Sequence, residues 1–220
     1  MLRYLEAVRH GETPVNAAGA NPAVARPYLP DSEVFLTERG ERQATDVGRR
    51  FAALPENELP DLVLCSPYPR ARRTWELAVA ELRSAPEFRI DDRLHDRDRG
   101  RFRVLSQARA RLLHPDEAAA EDRDPLGYRP PEGESFRDVA DRVGAVVTEL
   151  LDTGPERVLI VAHDAVVLML RQVLEHLPDA EILALAERGL AGNGSVTSWQ
   201  RDPRTGFRLL AYDDRTHLTS

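Results

Sequence analysis

The run of residues 158–162, Val-Leu-Ile-Val-Ala, is the part of the chain that most restricts its fold. Consecutive apolar residues with several β-branched members are typical of a strand that is buried on both faces. A helical pattern precedes the run: Ser135 and Asp138 form a capping-box motif, and apolar residues follow at helical spacing until 154–155, Gly-Pro. A second helix is expected over 166–174. A buried strand between two helices predicts a parallel sheet covered by helices.

Other segments continue this alternation of strands and helices. Short strands are expected at 2–8 and 61–65, helices from Thr37 to about Leu54 and from about Pro69 to Leu82, and two antiparallel strands at 192–199 and 207–212. We therefore predict an α/β fold, a three-layer α/β/α sandwich with a mostly parallel central sheet. Residues 1–220 are expected to form a single domain.

Two stretches break the alternation. Residues 14–35 are rich in Ala, Pro, Asn and Gly without periodicity, which predicts a long loop. In about 86–133, arginine alternates with aspartate, and charged residues, alanine and proline follow. This second stretch is interpreted as an inserted lid over the active-site face, partly helical near 105–121. Both stretches are expected to line the mouth of a pocket.

The charge of the chain limits its partners. Thirty Lys+Arg residues stand against 37 Asp+Glu, the net charge is −7, and every one of the 30 cations is arginine. An acidic total argues against a nucleic-acid or membrane-surface binder, whereas the planar guanidinium of arginine suits phosphate. The acidic total does not exclude a small phosphorylated metabolite as the partner, because a local arginine cluster can dominate its own pocket, and a homodimer is left open.

The cysteine count and the length of the apolar runs bear on the cellular location of the protein. The single cysteine, Cys65, excludes an intramolecular disulfide. No apolar run reaches the length of about 18 residues that a membrane span requires, and no signal-peptide pattern begins the chain. We expect a cytoplasmic protein.

Three of the predicted strands end in polar residues. Arg9-His10 follow the first strand, the stretch from Ser66 to Arg70 follows the second, and His163-Asp164 follow the third. The carboxyl ends of parallel strands share one edge of a sheet, where ligands bind. Two arginines and two imidazoles fit a phosphate dianion, because charge-assisted bonds hold its oxygens while a ring nitrogen faces phosphorus.

These residues resemble the signature of the histidine phosphatase superfamily, in its phosphoglycerate mutase-like branch. The motifs that match, in their order along the chain, are Arg9-His10-Gly11-Glu12-Thr13 with Asn16, Leu36-Thr-Glu-Arg-Gly40 with Gln43-Ala44, Ser66-Pro67-x-x-Arg70-Ala71-x-x-Thr74, Pro131-x-Gly133-Glu134-Ser135, His163 and Asn193. They span nearly the whole chain in the order of the family.

The resemblance implies a role for each matching residue. His10 is the nucleophile that becomes phosphohistidine, and Arg9, Arg70 and His163 bind the phosphoryl group. Asn16 assists as a hydrogen-bond donor. The resemblance also implies that no metal and no cofactor take part. Phosphoryl transfer depends on positioning and electrostatic stabilisation, which these residues can supply. The expected activity is a metal-independent phosphatase acting on a small phosphomonoester through a covalent intermediate.

Two aspartates compete for the role of general acid. The family branch places a glutamate two residues after a leucine in the middle region, and here Leu94 is followed at that distance by Asp96. Asp164 stands directly after His163, as in the acid-phosphatase branch of the superfamily, where that aspartate donates the proton. We rank Asp96 first. Each aspartate also has a purely structural interpretation: Asp164 could cap the helix that follows, and Asp96 could be one charge in a solvated stretch.

The remaining candidates concern the substrate pocket. Thr13, Glu12, Glu134 and Arg97 are candidates for its lining, with the two glutamates in supporting contacts. A phosphoglycerate mutase-like phosphotransferase is the nearest alternative activity. A catalytically weak phosphate-binding or scaffold protein is the alternative from another class.

Overall fold

A six-stranded sheet lies at the centre of the computed structural model, which describes residues 1–20 and 29–219. Its strands are β1 (Tyr4–Arg9), β2 (Leu62–Cys65), β3 (Glu87–Ile90), β4 (Arg157–Ala162), β5 (Val196–Asp202) and β6 (Gly206–Asp214). They lie in the order β3-β2-β4-β1-β5-β6. The first four are parallel, and β5 and β6 join antiparallel at one edge. The mostly parallel sheet is confirmed.

Helices cover both faces of the sheet. They are α1 (Pro14–Ala20), α2 (Glu38–Ala52), α3 (Pro69–Val79), α4 (Gln107–Leu113), α5 (Pro115–Arg123), α6 (Phe136–Thr153), α7 (Asp164–Glu175) and α8 (Asp179–Arg188). One core joins the sheet to α6, α7 and α8, and a second core joins its other face to α2 and α3. The three layers are therefore as predicted. Among the described residues, no helix combines the length and apolarity needed to cross a membrane.

Local signals explain where the principal helices begin. The Ser135 side chain accepts a hydrogen bond from the backbone N–H of Asp138, and the carboxylate of Asp138 accepts one from the backbone N–H of Ser135. Thr37 caps α2 by accepting from the backbone N–H of Gly40. Because caps satisfy backbone donors that have no partner within the helix, they fix the first turn.

The strand register brings the predicted polar residues together. Arg9 pairs with Ala162 across β1 and β4, and Cys65 pairs with Val161 across β2 and β4. The residues that follow, including His10 and His163, leave the sheet at the same edge. This shared edge positions the candidate site.

The prediction of a loop over 14–35 was wrong in part. Residues 14–20 form α1, and Asp31–Glu33 form a turn of 3-10 helix. Thr13 begins α1 by accepting a hydrogen bond from the backbone N–H of Asn16 at 3.2 Å. The small residues of α1 gave no apolar periodicity, so the pattern did not indicate a helix. Residues 21–28 of the predicted loop lie outside the described part.

The boundary of the predicted insertion was also wrong. Glu87–Ile90 form β3, which pairs with β2 in parallel at the edge of the sheet. We call residues 91–133 the inserted segment. It contains α4 and α5, which agree with the predicted helix near 105–121. Leu94 and Leu126 anchor the segment in the main core. The assignment of a single domain with a lid stays a prediction.

Candidate active site

His10 lies at the end of β1 with a fixed ring orientation. Its ring is buried, and Nδ1 lies 2.8 Å from the carbonyl oxygen of Gly11. Burial, helped by the charges of Arg70, His163 and Arg9, lowers the pKa of His10 well below its ordinary value. The ring is therefore neutral, Nδ1 carries the proton, and Nε2 presents a lone pair.

The turn at Gly11 allows this geometry. A Cβ atom added there would lie 2.3 Å from the carbonyl oxygen of Gly40, so only glycine fits against α2. The backbone N–H of Gly11 donates to the Thr74 hydroxyl at 3.0 Å, and Asn193 Nδ2 donates to the carbonyl oxygen of His10 at 3.0 Å. Contacts from α3 and from the segment before β5 thus hold the loop that carries His10.

His163 lies beside His10 at the end of β4. The two rings meet edge to face with their centroids 5.2 Å apart. His163 is fully buried, its Nε2 lies 2.8 Å from the Ser66 hydroxyl, and that hydroxyl accepts a bond from the backbone N–H of Tyr68. Burial, with the charges of Arg70 and other basic residues, lowers its pKa well below the ordinary value. When Ser66 donates to Nε2, Nδ1 of the neutral ring carries the proton.

Carboxylates hold both predicted phosphate-binding arginines. Arg9 Nη2 lies 2.8 Å from Asp164 Oδ2, and Arg70 donates to Asp31 at 2.8 Å and to Asp96 at 3.0 Å. The buried guanidinium of Arg70 also lies over the ring of Tyr68. A phosphate dianion that enters this site must therefore compete with aspartates for its cationic partners.

Unpartnered donors indicate where an anion fits. Within the described residues, Arg9 Nε and His163 Nδ1 are buried and make no hydrogen bond. Asn16 Oδ1 accepts from Thr13 and from Asn193, so the Nδ2 amide is the donor end of this side chain. Buried donors without partners are costly unless a ligand satisfies them. The arrangement is suited to a bound anion.

Asp96 faces the histidines from the inserted segment. It accepts hydrogen bonds from Arg70 and from the backbone N–H of Arg97, and its Oδ2 lies 3.5 Å from His163 Nδ1. Both oxygens of the carboxylate therefore have hydrogen-bond partners.

Asp164 faces the same cavity from the first turn of α7. Burial raises its pKa, the charge of Asp96 acts in the same direction, and the guanidinium of Arg9 opposes them. Asp164 is not the helix cap, because His163 occupies that position and makes no side-chain capping bond. Asp164 instead occupies the first position of α7, where its carboxylate accepts a hydrogen bond from the backbone N–H of Ala165 and pairs with Arg9.

A cavity of about 170 Å³ contains most of the predicted site residues. Its lining includes Arg9, His10, Thr13, Asn16, Arg70, Asp96, Arg97 and Asp164, together with Asp31, Asp98, Arg99 and Arg103. His163 lies behind Asp96 and His10. Glu12 and Glu134 lie outside this lining: Glu12 bonds Thr37 and Arg39 at the start of α2, and Glu134 bonds Arg142.

Sequence reasoning missed several contacts of the site. Asp31 is the clearest, since it lies 39 positions before its partner Arg70 in a stretch without periodicity. Tyr68 contacts the His163 ring with centroids 5.4 Å apart, although only its neighbours Ser66 and Arg70 matched a motif. Within the described residues, no group of three or more His, Cys, Asp or Glu side chains is arranged to hold a metal ion.

A family model places this geometry in a known class. The model of the histidine phosphatase superfamily (branch 1) matches residues 5–215. The chain therefore belongs to this superfamily.

Individual relatives carry the names of both mutases and phosphatases. A probable phosphoglycerate mutase, GpmB, from Cronobacter sakazakii is 31% identical over 96% of this chain and 93% of that protein. A 2,3-bisphosphoglycerate-dependent phosphoglycerate mutase from Methylobacterium radiotolerans is 31% identical over 83% of this chain and 84% of that protein. A mycobacterial glucosyl-3-phosphoglycerate phosphatase, solved with VO3, has a TM-score of 0.78 at 26% identity and covers 96% of this chain and 99% of its own.

Proposed function

We propose that this protein hydrolyses phosphomonoesters without a metal, through a phosphohistidine at His10. The observation that carries the proposal is the hydrogen bond between His10 Nδ1 and the carbonyl oxygen of Gly11 at 2.8 Å. It holds the proton on Nδ1 and leaves Nε2 as the nucleophilic atom, in a cavity that also contains Arg9 and Arg70.

The reaction proceeds in two displacements. His10 Nε2 forms a bond to phosphorus as the ester oxygen leaves, and an aspartic acid donates a proton to that oxygen. The same carboxylate then removes a proton from water, whose oxygen attacks phosphorus and releases His10 and inorganic phosphate. Arg9, Arg70, His163 Nδ1 and Asn16 Nδ2 donate to the equatorial oxygens, where charge accumulates in the transition state.

We assign the proton donor to Asp164, which reverses the ranking drawn from the sequence. A general acid must hold a proton near neutral pH, and burial raises the pKa of Asp164. Asp96, in contrast, is held at both carboxylate oxygens, by Arg70 and by the backbone N–H of Arg97. Since both carboxylates face one cavity, Asp96 is the alternative donor.

Charge balance in the cavity favours hydrolysis over mutase activity. Its lining contains five arginines, at 9, 70, 97, 99 and 103, and four aspartates, at 31, 96, 98 and 164. Arg103 is bonded to Asp98 at 3.0 Å, and Arg9 and Arg70 are bonded to other aspartates. A mutase must hold a second anionic group of its substrate, and little uncompensated positive charge is available for one.

Turnover of phenyl phosphate in the presence of a chelator tests the proposal. We expect the wild type to release phosphate and His10→Asn to release none. His176→Asn is the matched control, because His176 is exposed at the end of α7 and distant from the cavity. Turnover that requires an added divalent metal would contradict the proposal, and phosphate binding without turnover of any ester would favour a scaffold.

A further inference from the structure

A second, larger cavity adjoins the phosphate cavity. It has a volume of about 600 Å³ and lies between the inserted segment and the core helices α6, α7 and α8. Arg97 and Arg99 line both cavities, so the two adjoin at these residues. Cavities of this size accommodate small organic ligands.

The core side of the second cavity is largely apolar. Its lining from this side comprises Phe136, Leu168, Leu183, Ala186 and Leu190, with Glu187 as a charged member, and Leu126 of the inserted segment lines the cavity as well. Leu126 and Leu168 are buried in the main core, so this wall is a fixed surface of the fold. Displacement of water from such a surface by an apolar group is favourable.

The side formed by the inserted segment is polar, but it has no excess of positive charge. Arg111 is bonded to Asp122 at 2.7 Å and to Glu121 at 3.4 Å. Glu117 accepts a hydrogen bond from the Tyr128 hydroxyl at 2.7 Å. The cavity is lined by three arginines, at 97, 99 and 111, and by four carboxylates, at 117, 121, 122 and 187. Such a lining disfavours a second anionic group and offers acceptors to hydroxyl or amine groups.

Arg97 lies at the boundary where the two cavities adjoin. Its guanidinium carbon lies 4.2 Å from the centroid of the Phe136 ring, and its Nε donates to the carbonyl oxygen of Glu134 at 2.9 Å. These contacts hold the side chain in place at the boundary. A substrate that places its phosphate at His10 would therefore pass Arg97 with the remainder of the molecule.

We propose that the second cavity binds the alcohol part of the substrate, and that this part is bulky, largely apolar and free of a second anionic group. The inference rests on the proposed function, because it takes the phosphate to be bound at His10. The expected substrates are phosphomonoesters of large, ring-containing alcohols. Hydroxyl or amine groups on the alcohol would donate hydrogen bonds to the carboxylates of the inserted segment. Small phosphorylated acids are not expected to bind well.

The test compares two aryl esters that differ only in size. Phenyl phosphate and biphenyl-4-yl phosphate have leaving groups of similar acidity, so the ratio of their kcat/KM values reports binding of the second ring. We expect the wild type to prefer the biphenyl ester by about tenfold or more, as burial of a ring allows. A carboxylate on the distal ring should remove that preference.

Variants that fill the cavity make the test specific. Ala186→Trp fills it from α8 and Ala118→Trp from α5, so each should reduce the ratio to about one. Using both guards against a variant that fails to fold. Ala52→Trp is the control, because Ala52 is exposed at the end of α2, away from both cavities, and should leave the ratio unchanged.

The outcomes separate this inference from the proposed function. If phenyl phosphate is hydrolysed, but neither the second ring nor the tryptophans change kcat/KM, the inference is overturned and the phosphatase assignment stands. If no ester is hydrolysed, calorimetric titration with 4-phenylphenol tests directly whether the second cavity binds an organic group. Binding that both tryptophans abolish would support the cavity as an organic-group site, and absence of binding to the wild type would overturn it.

Discussion

The rings of His10 and His163 meet edge to face, with their centroids 5.2 Å apart and their planes inclined by 61°. Both rings are buried, and each has one nitrogen held by a neighbour, Gly11 for His10 and Ser66 for His163. The free nitrogens are His10 Nε2, which lacks a proton, and His163 Nδ1, which carries one when Ser66 donates. A nucleophile and a donor thus stand side by side, as attack on phosphorus and stabilisation of its oxygens require.

Replacement of the two aspartates should identify the proton donor. We expect Asp164→Asn to lower kcat for an alkyl phosphate by on the order of 10²- to 10³-fold, because the alkoxide then leaves unprotonated. The loss should be much smaller with 4-nitrophenyl phosphate, whose leaving group needs no proton. Asp96→Asn is the matched substitution, and a loss dependent on the leaving group in that variant alone would reassign the role to Asp96.

Acid should destabilise the fold through its buried histidines. The pKa of His163 is lowered in the folded protein, so below about pH 6.5 the unfolded chain binds a proton that the folded chain does not. The free energy of unfolding should therefore fall as the pH is lowered from 7.5 to 5.5, by about 1 kcal/mol for each such histidine.

Urea unfolding of His163→Asn at the two pH values measures this contribution. The variant should lose about 1 kcal/mol less than the wild type between pH 7.5 and pH 5.5. His176→Asn, which replaces an exposed histidine, should follow the wild type. An equal loss in the wild type and in His163→Asn would show that His163 does not titrate differently in the folded protein.

Asp31 should weaken the binding of phosphate. It is half-exposed and holds Arg70 at 2.8 Å, so its negative charge competes with the ligand and repels it. We expect Asp31→Asn to lower the inhibition constant of inorganic phosphate by about three- to tenfold. Glu33→Gln is the control, because Glu33 is exposed in the same helical turn. Weaker phosphate binding in Asp31→Asn would mean that Asp31 instead positions Arg70.

Gly11 should tolerate no side chain. The Cβ of Gly11→Ala would lie 2.3 Å from the backbone oxygen of Gly40, so the loop that carries His10 must shift. We expect a loss of about 1 to 3 kcal/mol in the free energy of unfolding and a large loss of kcat. Gly144→Ala in α6 is the control: its Cβ would lie 3.9 Å from the Val173 side chain, so the free energy of unfolding should be unchanged or increased. Full activity of Gly11→Ala would contradict the close approach.

The sequence predicted the elements whose signals are local. The apolar run of β4 and the capping box of Ser135 and Asp138 depend on neighbours in the chain, and both are present in the structure. Strand β3 gave no such signal, because all four of its residues are exposed at the sheet edge. Its pairing with β2 is a tertiary contact that periodicity does not reveal.

The same distinction applies to the site. The convergence of Arg9, His10 and His163 could be predicted, because the carboxyl ends of parallel strands meet at one edge. The contact between Arg70 and Asp31 could not, since it joins a helix to a distant turn without a shared pattern. The ranking of the two acids also depended on burial, which only the folded chain determines.

The most direct measurement traps the covalent intermediate. The enzyme is mixed with a ³²P-labelled aryl phosphate in chelator, quenched in alkali within milliseconds and analysed by peptide mass spectrometry, since phosphohistidine survives alkali. We predict one labelled residue, His10, phosphorylated on Nε2, with label absent from His10→Asn and retained in His176→Asn. Turnover with no label on His10, or with the label on another residue, would contradict the account.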